Sequence, residues 1–124
     1  METDQTVPVQ EDDFEMQEAI YAARALLAQF ISAFINPEPN QNSFLLKVRF
    51  AQEADIEHIW MADLDLSSNP STGAIANEPN LAGFEFMQRR AFTPRDITDW
   101  MFMEDGVLVG GFTTKLLQKR QRST

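Results

Sequence analysis

A chain of 124 residues with 44% apolar and 23% charged side chains fits one globular domain, long enough to bury roughly two-thirds of its unfolded surface and too apolar for wholesale disorder. It has no cysteine, which excludes disulfides, thiolate chemistry and Cys-based zinc or iron-sulfur sites. A formal net charge of −9 repels nucleic acid and anionic membrane, so neither is an expected partner.

The charge is unevenly spread. Glu2, Asp4, Glu11, Asp12, Asp13, Glu15 and Glu18 crowd one end with no Lys or Arg among them, while Lys115, Lys119, Arg120 and Arg122 crowd the other. Residues 1–11 contain Pro8 and little that can pack, which predicts a disordered acidic tail; residues 118–124 predict a basic one. The first residues are acidic where a secretory signal needs positive charge and then an apolar run. No stretch approaches the roughly 18 apolar residues that span a bilayer. The expectation is a cytoplasmic protein with a single domain over residues 12–117.

Asp12 ahead of Glu15 forms a weak capping box, and Asp13 is an equally good N-cap, so a helix starts there. Apolar residues then recur at Met16, Ile20, Ala23, Leu27, Phe30, Ile31 and Phe34, mostly in steps of three and four. That spacing predicts one helix over 12–36 with a single broad stripe, stopped by Asn36-Pro37. Any part of the stripe left exposed marks a partner surface. From Phe44 the period is two: Phe44, Leu46, Val48 and Phe50 share one face, Lys47 and Arg49 the other. The run from Ile56 to Leu66 puts Ile56, His58, Trp60, Ala62 and Leu64 opposite Glu57, Ile59 and Met61, and its start reads as a central strand, apolar on both sides. A short strand over 72–77 ends at Glu78-Pro79-Asn80, and Phe84, Phe86 and Gln88 alternate in another over 84–92. Thr93-Pro94-Arg95-Asp96 starts a single helical or 3₁₀ turn that delivers Ile97 and Trp100 to the core.

Asp105-Gly106 between two apolar runs predicts a two-residue hairpin turn, because both central residues need positive φ. Counting outward, Glu104 meets Val107, Met103 meets Leu108, Phe102 meets Val109, Met101 meets Gly110 and Trp100 meets Gly111. The Gly110-Gly111 pair lies inside a strand, whereas phosphate-binding glycine loops join a strand to a helix, so it reads as room for Trp100 and Met101. Asp99 and Thr113, flanking the hairpin, are candidates for side-chain bonds to backbone. The fold class is α+β: an N-terminal amphipathic helix packed on a bent antiparallel sheet of five or six strands over 43–114, or a small SH3-like barrel.

His58 is the sole histidine. Its neighbour Glu57 points to the opposite strand face and cannot orient it, so His58 reads as a histidine with structural hydrogen bonds, with no catalytic or metal site and no cofactor expected. Asn77-Glu78-Pro79 reads as a strand-ending turn whose polar side chains bond nearby backbone. Together His58, Trp60, Asn77, Glu78 and Trp100 form a candidate binding surface. A cleft near His58, Asn77, Glu78 and Trp100 is the rival reading, a small-ligand binder or enzyme.

Four segments, Glu57 to Trp60, Ala76 to Pro79, Asp96 to Met101 and Glu104 to Thr113, resemble in that order blocks of the YegJ-like family, a bacterial domain of unknown function. The resemblance runs from about Phe44 to Thr114, and an N-terminal helix precedes the domain in many members. It departs over Phe84 to Asp96, where the family has a Gly-Asp followed by a hydrophobic strand. The resemblance implies no established activity. Similar domains occur near ankyrin-repeat and toxin-immunity genes, which implies a binding role by association. The expected function is a small acidic protein-interaction module with a protein partner or self-association, toxin neutralisation being its finer form.

Overall fold

A computed structural model describes residues 13–122, so the acidic tail expected over 1–11 lies outside the described residues. Asp13 is the N-cap that opens α1 (Phe14–Ala25), its Oδ1 accepting the Met16 N–H at 3.2 Å. The one helix predicted over 12–36 is two, because the chain bends by 44° at Leu26 before α2 (Leu27–Ile35). The stripe spacing passes through the bend unbroken, which hides it from periodicity. The bend lets both helices follow the sheet: the Phe30 ring lies 5.8 Å from that of Trp100, and the Trp100 indole N–H donates to the Ala23 carbonyl at 2.9 Å. That carbonyl sits in the last turn of α1, where helical carbonyls lack partners within the helix. No single helix among the described residues is long and apolar enough to cross a membrane.

Six antiparallel strands form one sheet: β1 (Gln41–Gln52), β2 (Asp55–Asp65), β3 (Ser71–Ile75), β4 (Arg89–Phe92), β5 (Ile97–Glu104) and β6 (Val107–Gly110). Their order is β4-β3-β2-β1-β5-β6, an α+β architecture whose sheet is open, with β4 and β6 at its edges, not closed into a barrel. Leu46 pairs with Met61 and Val48 with Ile59 on the face that meets the helices; Lys47 pairs with Trp60 and Arg49 with His58 on the outer face. All four core-facing residues are fully buried.

Three expectations on the strands need correction. Leu64 does not share the Trp60 face: Asp63 adopts φ +46, the β2–β3 register slips between Ala62 and Asp65, and Leu64 turns to the core. The strand expected over 84–92 begins only at Arg89. The residues before it form a loop anchored by buried Leu81 and by Phe84, whose ring packs 5.3 Å from that of Phe50, while Phe86, which the alternation puts on the Phe84 face, is exposed. The hairpin register is as counted from Glu104–Val107 to Met101–Gly110, but the ladder stops there. A Cβ on Gly110 would lie 2.5 Å from the Trp100 carbonyl and 2.6 Å from its ring, so Gly110, not Gly111, gives Trp100 its space.

After the hairpin, α3 (Phe112–Arg122) absorbs residues 118–122, which sequence alone assigns to a basic tail. Arg120 ties this helix to the start of α1, reaching Asp13 at 2.8 Å and Glu15 at 3.2 Å. A single 3₁₀ turn, Pro94–Asp96, stands where the Thr93-Pro94 signal puts it.

Candidate functional site

Strand pairing separates the residues nominated from the sequence. His58 and Trp60 stand half-buried on the outer face of β2, where His58 Nδ1 meets Thr98 Oγ1 at 3.1 Å. Asn77 supports the same strand, its Oδ1 accepting the Trp60 N–H at 2.8 Å and prolonging the β2–β3 ladder past Ile75. Its Nδ2 donates to the Glu78 carbonyl at 3.3 Å, as the strand-ending reading anticipates, and Glu78 is exposed. Trp100 lies on the other side of the sheet, 1% exposed, in the core with Phe30 and Phe102. The five side chains therefore do not converge on one cleft. Asp105 and Gly106 form the hairpin turn with φ +53 and +74, and the Asp105 N–H donates to the Asn40 carbonyl, docking the turn on the α2–β1 loop.

A buried polar cluster occupies the outer face instead. Asp99 is fully buried, and its carboxylate accepts the N–H groups of Trp100 at 2.8 Å, Phe112 at 3.1 Å and Thr113 at 2.8 Å, as well as the Thr113 hydroxyl. It thus caps the N-terminus of α3 from a neighbouring strand, where negative charge is favoured by the helix dipole. Lys47 donates to Thr113 Oγ1 at 2.8 Å and sits 5.0 Å from the centroid of the Trp60 ring. Burial pushes its amine below the usual lysine value of 10.5, and the charge of Asp99 opposes that shift. An amine 8% exposed and bonded to Thr113 anchors α3; it is not presented to a substrate. Asp99 and Thr113 were legible as backbone-bonding residues, whereas Lys47 was legible only as a polar-face residue. Among the described residues no three His, Cys, Asp or Glu side chains are grouped so as to hold a metal ion.

A mostly apolar groove lies on the helix side of the sheet. Because α2 leaves part of the sheet uncovered, an open groove of about 700 Å³ runs beside it. Leu27, Ile31, Phe34 and Ile35 of α2 form one wall, while Leu64, Leu66, Phe92 and Ile97 form the facing one. Asp65, Ser67 and Ser71 are polar points at its edge. Ile35, 72% exposed, extends the apolar wall of the groove out to its rim, so the apolar surface there is contiguous and not a single scattered side chain. A signal for this groove lay beside the stripe: Ile35, which the stripe ending at Phe34 leaves out, widens the apolar arc of Phe30, Ile31 and Phe34 beyond one narrow face. The slip that turns Leu64 inward, which completes the far wall, was not visible.

The family model described as "Uncharacterized protein conserved in bacteria (DUF2314)" matches residues 13–123. The chain belongs to this family. It is 28% identical over 103 residues to the protein "Uncharacterized protein YegJ" of Escherichia coli K12, an alignment covering 82% of the chain and 66% of that relative. It is 32% identical over 79 residues to a protein of Neisseria meningitidis serogroup B described as a "Putative ankyrin repeat protein", covering 60% of the chain and 31% of that one. The chain therefore spans less than two thirds of the length of either relative. No solved structure matches. The YegJ-like resemblance read from four short blocks thus extends over the helices as well as the sheet.

Proposed function

We propose that this bacterial domain is a protein-interaction module and that the α2 groove is its binding surface. The observation that carries the reading is the open, apolar groove of about 700 Å³ with Ile35 standing 72% exposed at its edge. A volume of that size with few polar points is what buried anchor side chains of a partner require. The likeness of part of the chain to a protein described as an ankyrin repeat protein agrees with a role in recognition. The rival reading, a ligand cleft shared by His58, Asn77, Glu78 and Trp100, draws no support from a sheet that sets Trp100 on the face opposite His58.

A photo-crosslinking residue placed at position 35, compared with one at exposed Phe86 outside the groove, tests the proposal in the native bacterial host. A discrete protein adduct at position 35 and none at position 86 is the expected result. Adducts at both positions, or at neither, overturn it. An adduct of twice the chain mass identifies self-association through the same surface.

A further inference from the structure

We infer that two copies of this chain pair antiparallel along β6, joining their sheets into one about a twofold axis at Leu108. This goes beyond the groove reading and does not rest on it, because β6 contributes no residue to the groove. The sheet ends in two edge strands, β4 and β6, each four residues long. They are not equivalent. β4 carries Arg89 and Arg90, charges of the kind that keep an edge from pairing with another chain, whereas β6 is Val-Leu-Val-Gly, without a charge, a proline or a bulge. Val107 stands 64% exposed on it.

The phase of the hairpin fixes which backbone groups that edge offers. Glu104 and Val107 close a two-residue turn, and the Gly111 N–H donates to the Trp100 carbonyl at 2.7 Å, so the groups of Val107 and Val109 are spent on β5. Those of Leu108 point away from it. An antiparallel pair centred there sets Leu108 against Leu108 of the other copy, exchanging two N–H···O bonds, and sets Val107 against Val109 of the other copy on each side of the axis.

Charge selects a second copy over an unrelated strand. The hairpin tip is acidic: Asp105 is exposed and docks on the loop that carries exposed Glu38. The other end of β6 runs into α3, which contains no acid and presents exposed Lys115 in its first turn. Self-pairing puts Asp105 opposite Gly111 of the other copy, so each acidic tip lies beside the start of the other's basic helix. The twofold axis makes that contact twice. Four paired residues a side bury less than a permanent dimer needs, so association is reversible and follows concentration.

Sedimentation velocity of the full chain between about 5 and 200 μM is expected to show a monomer–dimer equilibrium. Val107→Lys, which places a charge at an exposed edge position, is expected to weaken dimerisation at least about tenfold with an unchanged melting curve. Leu108→Pro, which removes an N–H that β5 does not use, is expected to do the same to the dimer. Asp105→Lys and Lys115→Glu are each expected to be monomeric alone and to form a heterodimer when mixed, since mixing turns two like-charge contacts into two opposite ones. A chain that stays monomeric throughout, or a dimer that survives Val107→Lys, overturns the inference. So does a mixture of the two folded charge variants that associates no more than its components. The crosslink at position 35 reports on the groove alone, whatever these measurements give.

Discussion

Gly106 and Gly110 both sit at positive φ, +74 and +82, yet their surroundings differ completely. A Cβ at Gly106 would meet nothing within 4 Å, whereas one at Gly110 would collide with the Trp100 carbonyl and ring. Gly106→Ala is therefore expected to cost about 1 kcal/mol, the backbone penalty alone, and Gly110→Ala about 3 kcal/mol or more, in urea unfolding. Asp99→Ala is expected to cost about 3 kcal/mol in the same assay, because it strips the cap from α3 and leaves the Lys47 ammonium buried without its countercharge. Loss of helical circular dichroism should accompany it. The roles of Asp99 and Thr113 were legible because both flank a hairpin whose register is countable. The burial of Lys47 was not, since it depends on Thr113, 66 residues away in sequence, arriving against it.

Among the elements, α3 is held at both ends by charge: Asp99 beneath its first turn and Asp13 with Glu15 against Arg120 near its last. The Arg120 guanidinium and the Met16 N–H hold the Asp13 carboxyl below its ordinary value of 3.8. A carboxyl lowered in the folded state contributes stability that is complete above 3.8 and is lost as pH falls through the lower, folded value. Acid titration should therefore loosen the α1–α3 contact below about pH 4, and Arg120→Gln should flatten that part of the stability curve by lowering stability modestly above pH 4 while leaving the acid end unchanged. Hydrogen exchange of the α3 amides reports it directly. Element types were largely legible from period and punctuation. What failed were the places where tertiary contacts override a local pattern: the bend at Leu26, the slip after Ala62, and the anchored loop before Arg89.

At the scale of the whole molecule, the helices cover one face of the sheet incompletely, and the groove is the remainder. The breadth of the apolar arc on α2 hinted at it. Its far wall, assembled from β2, β4 and the 3₁₀ turn, required the fold. That wall is tied to the helices by Arg24, whose Nη1 donates to the carbonyls of Arg95 at 2.9 Å and Ile97 at 2.7 Å. The residue sits two residues before the bend at Leu26, so a single side chain spans from the α1–α2 joint to the 3₁₀ turn and sets the distance between the two walls. The consequence is kinetic. A groove braced open in the free protein needs no rearrangement to receive a partner, so association should follow a single exponential whose rate rises linearly with partner concentration. Removing the brace with Arg24→Ala should introduce a second, concentration-independent phase in stopped-flow mixing, as partners wait for the walls to part.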